Sequence, residues 1–431
     1  MPKTPSLTQQ FRLVLDLIRW TPIAVLAGIL GGSASALLLV SLDFATEVRE
    51  AHRWLILLLA PVGYGIALVY KHFGKRIEAG NNLILEEVHS PSDVIPLRMT
   101  PFILAGTFLT HLFGGSAGRE GTAIQTGASL ADQLAKPFGL DAAGRRILLM
   151  AGISAGFGSV FGTPLSGAVF GLEVLAVGSL TYDAIAPCFL AAFIGDLTTR
   201  AWHVHHTVYT VSDVPAMAPS KLLAAMAAGA VFGLMAMFFS RSTHAVAALC
   251  KRHIARPELR PVAGGLLVSG AVFALGTTRY IGLGIPTIQA AFTQPVPWYD
   301  FLAKSIFTSV TLGAGFKGGE VTPLFFIGAT LGNALSHWLP LSASLLAGMG
   351  FVAVFAGAAN TPIASTLMAI ELFGAECAPY AAIACVGAYL FSGTSGIYHA
   401  QRRGSGKAIV AEALAAKTHA EDAHETPSLE P

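Results

Sequence analysis

Arg119 and Glu120 stand side by side in GGSAGREGTAIQTGASL (114–130), the one charged pair in an otherwise uncharged stretch. The glycines around them let the backbone approach a ligand closely. A helix opening at GREGT (118–122) would turn unsatisfied N–H groups and a partial positive charge toward that ligand. Such a helix start holds an anion without a full cation beside it. Gly118 and Gly121 belong to this cradle. Glu120 is itself an anion, so it reads as a tethered competitor: ionised, it fills the anion position; protonated, it swings away. A carboxylate that trades places with an ion on protonation couples a proton to an anion. Arg119 reads as structural, paired with a carboxylate or with carbonyls behind the site. Charges inside membrane segments are costly and usually functional.

This chemistry needs a dry setting, and the composition provides one. Of the 431 residues, 53% are hydrophobic and 12% charged, with mean hydropathy +0.62; soluble domains carry roughly 25% charged residues. Apolar segments recur at 22–42, 54–70, 221–239, 262–276 and 378–391, as in an all-α polytopic membrane protein in a lipid bilayer. The net charge of +2 gives no reason to expect nucleic acid as a partner. Other runs (123–135, 164–177, 323–335, 362–373) are shorter than the roughly 20 residues of a straight crossing. Pro164, Pro323 and Pro362 sit where such helices would begin. Broken helices survive in lipid only where protein buries them or where they line a cavity. A polar site built from helix ends is therefore expected in the middle of the protein.

The chain also repeats itself. GTPLSGAVFGLEV (162–174) matches NTPIASTLMAIEL (360–372), and GREGTAIQTGASLADQL (118–134) matches GEVTPLFFIGATLGNAL (319–335). The two pairs keep one order and nearly one offset, 198 and 201 residues. Two homologous halves follow, 21–245 and 261–400, around a cytoplasmic linker at 246–260. Residues 1–20 read as an amphipathic lead-in on the cytoplasmic surface, and 401–431 as a short polar cytoplasmic tail. Lys3, Arg12 and Arg19, with the basic stretches KHFGKR (71–76) and KRHIARPELR (251–260), favour a cytoplasmic N-terminus. Paired halves with short broken helices in matching places point to a transport site near the midplane.

GREGT with Gln125, GFKGGEVTPLFFIG (315–328), the TPLSG and NTPIAS helices and GIY (396–398) together resemble the CLC family of chloride channels and proton-coupled anion antiporters. The resemblance covers roughly residues 20–400, in order. It implies an inverted-repeat fold with tilted, broken helices, a homodimer with one pathway per subunit, and cytoplasmic termini in the cell inner membrane. Glu120 falls on the family's gating glutamate, and Tyr398 on the tyrosine that reaches the central anion.

The departures are informative. Where the family has G-S-G-I-P, this chain has GNNLI (80–84), with Asn81 in the serine's place. Thr122 replaces the proline of G-R-E-G-P. GGEVTP (318–323) replaces G-G-x-F-A-P and brings Glu320, Val321 and Thr322. Val174 falls on the position where proton-coupled chloride exchangers carry an inner glutamate, with Glu173 just before it. These changes resemble the fluoride-exporting branch. Fluoride is small, strongly hydrated and a strong acceptor, so replacing its water takes real donors. Asn81, Thr122, Thr322, Tyr398 and the backbone at Val321 are the expected anion ligands, and Glu320 the second proton carrier. The expected transported ions are F⁻ and H⁺, with no cofactor and no catalytic chemistry.

Other readings follow from the residues alone. Asn81 and Asn82 suit a turn, Tyr398 an interfacial aromatic, and Glu320 a salt-bridge partner for Lys317. Glu173 and Glu371 read as structural. Cys188, Cys250, Cys377 and Cys385 read as small hydrophobes. HVHH (203–206) reads as a loop face, with metal binding in principle possible. Two G-x-S patterns (114–118, 393–396) lack the well-placed histidine of a hydrolase. The nearer rival is a chloride/proton exchanger or chloride channel on the same fold.

Overall fold

The computed structural model describes residues 7–394 and 396–403. The tail expected from Gln401 therefore falls almost wholly outside the described residues, as do Lys3 and the serine of the 393–396 pattern. Helices dominate. In the first half they are α1 (Leu7–Ala51), α2 (Leu59–Phe73), α3 (Asn81–His89), α4 (Met99–Leu112), α5 (Glu120–Asp132), α6 (Ala142–Phe161), α7 (Pro164–Glu173) and α8 (Ile185–Ala201). The second half continues with α9 (Pro219–His253), α10 (Arg260–Leu275), α11 (Ile285–Thr293), α12 (Asp300–Gly313), α13 (Val321–Leu335), α14 (Ala343–Ala359), α15 (Pro362–Phe373) and α16 (Ala378–Phe391). Among the described residues, five helical stretches are long and apolar enough to cross a membrane, the longest being Val14–Ala51 and Pro219–His253. The helices carrying the motifs are shorter, as the Gly/Pro breaks predict.

The spacing of the elements displays the repeat. Leu59, Met99 and Glu120 open α2, α4 and α5; Arg260, Asp300 and Val321, each 201 positions on, open α10, α12 and α13. Pro164 and Pro362, 198 apart, open α7 and α15. By the same count the long α9 matches α1. This spacing argues for a boundary within 202–218, one helix earlier than the 246–260 linker expected from the motifs.

Equivalent residues meet across the axis relating the halves. Gly118 and Gly319 exchange backbone hydrogen bonds of 2.6 and 2.8 Å. The rings of Phe157 and Phe355 lie 5.8 Å apart. Glu173, ending α7, accepts from Ile363 N–H and Ala364 N–H at the start of α15 (3.0 and 2.8 Å). Glu371, near the end of α15, accepts from Leu165 N–H and Ser166 N–H at the start of α7 (both 2.8 Å). Reciprocal capping requires α7 and α15 to run antiparallel, as inverted copies must. Close packing is repeated too: a Cβ on Gly127 or Gly328 would strike the backbone of Gly152 or Gly350, so glycine lets α5 meet α6 and α13 meet α14 backbone to backbone.

Three expectations are corrected. The lead-in is not a separate surface helix, because α1 runs from Leu7 through Pro22 without a break. Proline is tolerated inside membrane helices, where neighbouring groups take up the freed carbonyl. α13 begins at Val321, two residues before Pro323. GNNLI opens a helix at Asn81 and is not a turn.

Candidate functional site

Three helix starts bring the motif residues together: α3 at Asn81, α5 at Glu120 and α13 at Val321. Their N–H groups carry the partial positive charge that favours an anion. The Gly118–Gly319 pairing brings the starts of α5 and α13 together. Gly80, with φ of +58°, turns the chain into α3 in a conformation other residues resist. Space is tight. A Cβ on Gly118 would lie 2.9 Å from Thr322 N and 3.0 Å from Glu120 Oε2. A Cβ on Gly121 would lie 3.1 Å from Asn81 Nδ2 and 3.9 Å from Glu320 Oε2. These two positions of the cradle admit only glycine without displacing the groups around them.

Glu120 is wholly buried. Its Oε2 accepts from Thr322 N–H (2.9 Å), the Thr322 hydroxyl (2.6 Å) and Arg119 N–H (3.2 Å). The same hydroxyl lies 2.7 Å from Oε1. The carboxylate thus occupies the donors at the start of the other half's helix, groups of the kind that suit an anion. Arg119 Nε lies 3.5 Å from Glu120 Oε1 and makes no hydrogen bond.

On one side of Glu120 lies a cavity of about 150 Å³ lined by Asn81, Gln125, Lys317, Glu320 and Tyr398, among others. Tyr70, Ile77 and Glu78 also line it, so it adjoins the basic 71–76 stretch. The Tyr398 hydroxyl and Asn81 Oδ1 are buried and have no hydrogen-bond partner. Buried polar atoms are rarely left so, and an occupant between them would satisfy both. A half-turn of the amide exchanges Asn81 Oδ1 for its donor end. Lys317 Nζ lies 4.1 Å from the centre of the Tyr70 ring, and among the described residues no ion pair joins it to Glu320.

On the other side a cavity of about 20 Å³ is lined by Arg119, Glu120, His206, Tyr209 and Thr322, among others. Its His206 and Tyr209 come from the segment joining α8 to α9. α9, at 35 residues, is roughly 52 Å long, more than the ~30 Å hydrocarbon core. Its start therefore lies on the opposite face from its basic end at 251–260. The two cavities open toward opposite faces, with Glu120 between them.

Not every expected ligand reaches the site. The Thr122 hydroxyl lies 2.7 Å from the Thr107 hydroxyl of α4, and Thr122 lines neither cavity. Val321 is buried and likewise lines neither, leaving it a backbone role. His206 and Tyr209 were not foreseen as site residues. The HVHH pattern marked the segment, but only the tertiary structure places it over Glu120. Among the described residues, no group of three or more His, Cys, Asp or Glu could hold a metal ion.

Comparison with known proteins places the fold. A family model described as "Voltage gated chloride channel" matches residues 62–393. A "Chloride/fluoride channel protein" of Pseudomonas syringae pv. tomato is 55% identical over 405 residues, 93% of this chain and 90% of the relative. The crystal structure of a CLC-type fluoride/proton antiporter superposes with a TM-score of 0.87 at 33% identity, covering 93% of this chain and all of that one. A slow cyanobacterial Cl⁻/H⁺ antiporter shares the fold, with a TM-score of 0.77 at 18% identity over 93% of this chain and 99% of its own. With a buried carboxylate on paired helix starts and an inverted repeat around it, the chain belongs to the voltage gated chloride channel family, the CLC proteins, which are membrane transporters and channels.

Proposed function

We propose that the protein is a fluoride/proton antiporter that exports F⁻ from the cytoplasm in exchange for inward-moving H⁺. One observation carries this reading: the Glu120 carboxylate sits on the Thr322 N–H and hydroxyl, donors suited to an anion. Protonation removes its charge and weakens those charge-assisted bonds. The side chain then leaves with its proton, and the anion takes its place. Asn81, Tyr398 and Thr322 supply amide and hydroxyl donors strong enough to replace the water of a small, hard anion. Glu320 lines the cavity on the basic face and hands protons between that cavity and the site. No cofactor takes part. The protein works as a homodimer with one pathway per subunit, in the cell inner membrane with both termini cytoplasmic.

A chloride channel or chloride/proton exchanger is the second reading, kept because the Pseudomonas relative is named for both anions. Ion efflux from proteoliposomes loaded with fluoride or with chloride, with pH recorded alongside, decides between them. Fluoride efflux far above chloride, with proton uptake, is expected. Equal efflux of the two anions would remove the selectivity, and fluoride efflux without proton movement would make the protein a channel.

A further inference from the structure

The HVHH stretch plays no part in the mechanism so far, yet its last histidine lines a cavity together with Glu120. His206 helps line the small cavity on the outer side of Glu120 and also a wider one of about 480 Å³ beyond it, lined by residues 203–209 with Arg200 and Glu371. The small cavity, about 20 Å³, exceeds the ~10–15 Å³ that one water needs. A bare fluoride ion is about that size.

Unsatisfied donors line this cavity. The Arg119 side chain is 10% exposed, and its Nε is buried without a hydrogen bond. The His206 side chain is 15% exposed; the Val160 backbone lies beside the ring, but neither ring nitrogen makes a hydrogen bond of normal geometry. The ring is accommodated because residue 162 is glycine, with φ of +72°; a Cβ there would meet it. Buried orphan donors beside a guanidinium call for an acceptor that carries negative charge. Asp196 stands by: its Oδ2 accepts from Arg200 Nε at 2.8 Å, while Oδ1 has no hydrogen bond and lies 3.8 Å from His206 Nε2. A doubly protonated ring could donate to Asp196 through Nε2 and to an anion through its other nitrogen.

We propose that this cavity is an outer anion site, in which Arg119 Nε and a His206 protonated from the outer solution hold one fluoride on its way out past Glu120. The proposal rests on the fluoride/proton reading and adds a second anion position to it. The empty site disfavours the imidazolium: burial, and then the Arg119 charge, push the His206 value down to about 4. An anion in the cavity offsets Arg119, so anion and proton binding reinforce each other. The charged neighbours are Arg119 and Glu120 at the start of α5, Asp196 and Arg200 on α8, and Glu371 on α15. His203 and His205 belong to its own segment. Of these, Glu120 is the group that the proposed exchange itself uses, so the test removes it.

Sodium fluoride binding is measured by calorimetry on the purified dimer carrying Glu120→Gln. Affinity is expected to tighten about tenfold from about pH 7.5 to about pH 5.5, across the range where histidine responds. Adding His206→Gln should remove that dependence and one bound fluoride per subunit; adding His203→Gln should remove neither. Unchanged stoichiometry and pH dependence with His206→Gln overturn the site. If sodium chloride, and not sodium fluoride, gives the His206-dependent heat, the outer site stands and the fluoride reading fails. If fluoride/proton exchange is intact but no binding depends on His206, the reading stands and the site fails. A measurement without a His206 variant is NMR titration of the His206 ring in the Glu120→Gln protein. Sodium fluoride should raise its midpoint, and an unmoved midpoint overturns the proposal.

Discussion

The two halves meet at two junctions built from the same parts, and one substitution separates them. Where α7 meets α15, both helix starts are filled by tethered carboxylates: Glu173 holds two N–H groups of α15, and Glu371 holds two of α7. Nothing there is left for an ion to take. Where α5 meets α13, one carboxylate serves both starts, since Glu120 accepts from Arg119 N–H and from Thr322 N–H and hydroxyl. The residue matching Glu120 in the second half is Val321, and the acid of that half, Glu320, lies one position earlier on a cavity wall. The symmetric junction is a clamp. The asymmetric one has a single carboxylate, which in the proposed mechanism an ion of the same charge replaces. Function arises where the repeat departs from its own symmetry.

Four substitutions sharpen or break this contrast. The largest effect is expected for Thr322→Val, which removes the hydroxyl on the Glu120 carboxylate. A hydrogen bond to a charged group contributes about 1.5–3 kcal/mol, so the apparent fluoride affinity in flux assays should weaken about tenfold or more; an unchanged affinity would detach Thr322 from the anion path. Glu173→Ala should lower thermal stability by about 1.5–3 kcal/mol, from two helix-start N–H groups left without their acceptor. Glu371→Ala should do the same, and both should leave the ratio of fluoride to protons unchanged. A shifted ratio would show that the clamp is part of the transport machinery. The smallest effect is expected for Thr122→Val. It breaks the hydroxyl pair with Thr107 at a cost of about 1 kcal/mol and should alter the fluoride-over-chloride preference by less than about threefold, which selective flux measurements can resolve. A larger loss would restore Thr122 as an anion ligand.

The sequence disclosed what is written locally. Glycines and a charge at a helix start marked Glu120, and Pro164 and Pro362 marked the broken helices. The two motif pairs marked the repeat. What stayed hidden depends on contacts across the chain. Nothing near Glu120 says that its carboxylate rests on Thr322, 202 residues away, and nothing near Thr122 says that its hydroxyl is taken by Thr107. The motifs and the helix spacing put the boundary between halves in different places, because α1 and α9 correspond in place but differ in length, at 45 and 35 residues, and carry no shared motif. The polar residues of 1–20 suggested a lead-in on the membrane surface, where α1 in fact runs on without a break. His206 looked like a loop histidine because only the return of the 202–218 segment over α5 gives it a neighbour.

The most direct test of the central claim compares the protein with its Glu120→Gln variant in fluoride-loaded proteoliposomes, reading fluoride efflux and internal pH together. In the unaltered protein, protons should enter as fluoride leaves. With glutamine in place of the carboxylate, fluoride should still leave and proton entry should fall to the level of protein-free vesicles. Proton entry that persists in the variant would contradict the account, because Glu120 would then be neither the proton carrier nor the stand-in for the anion.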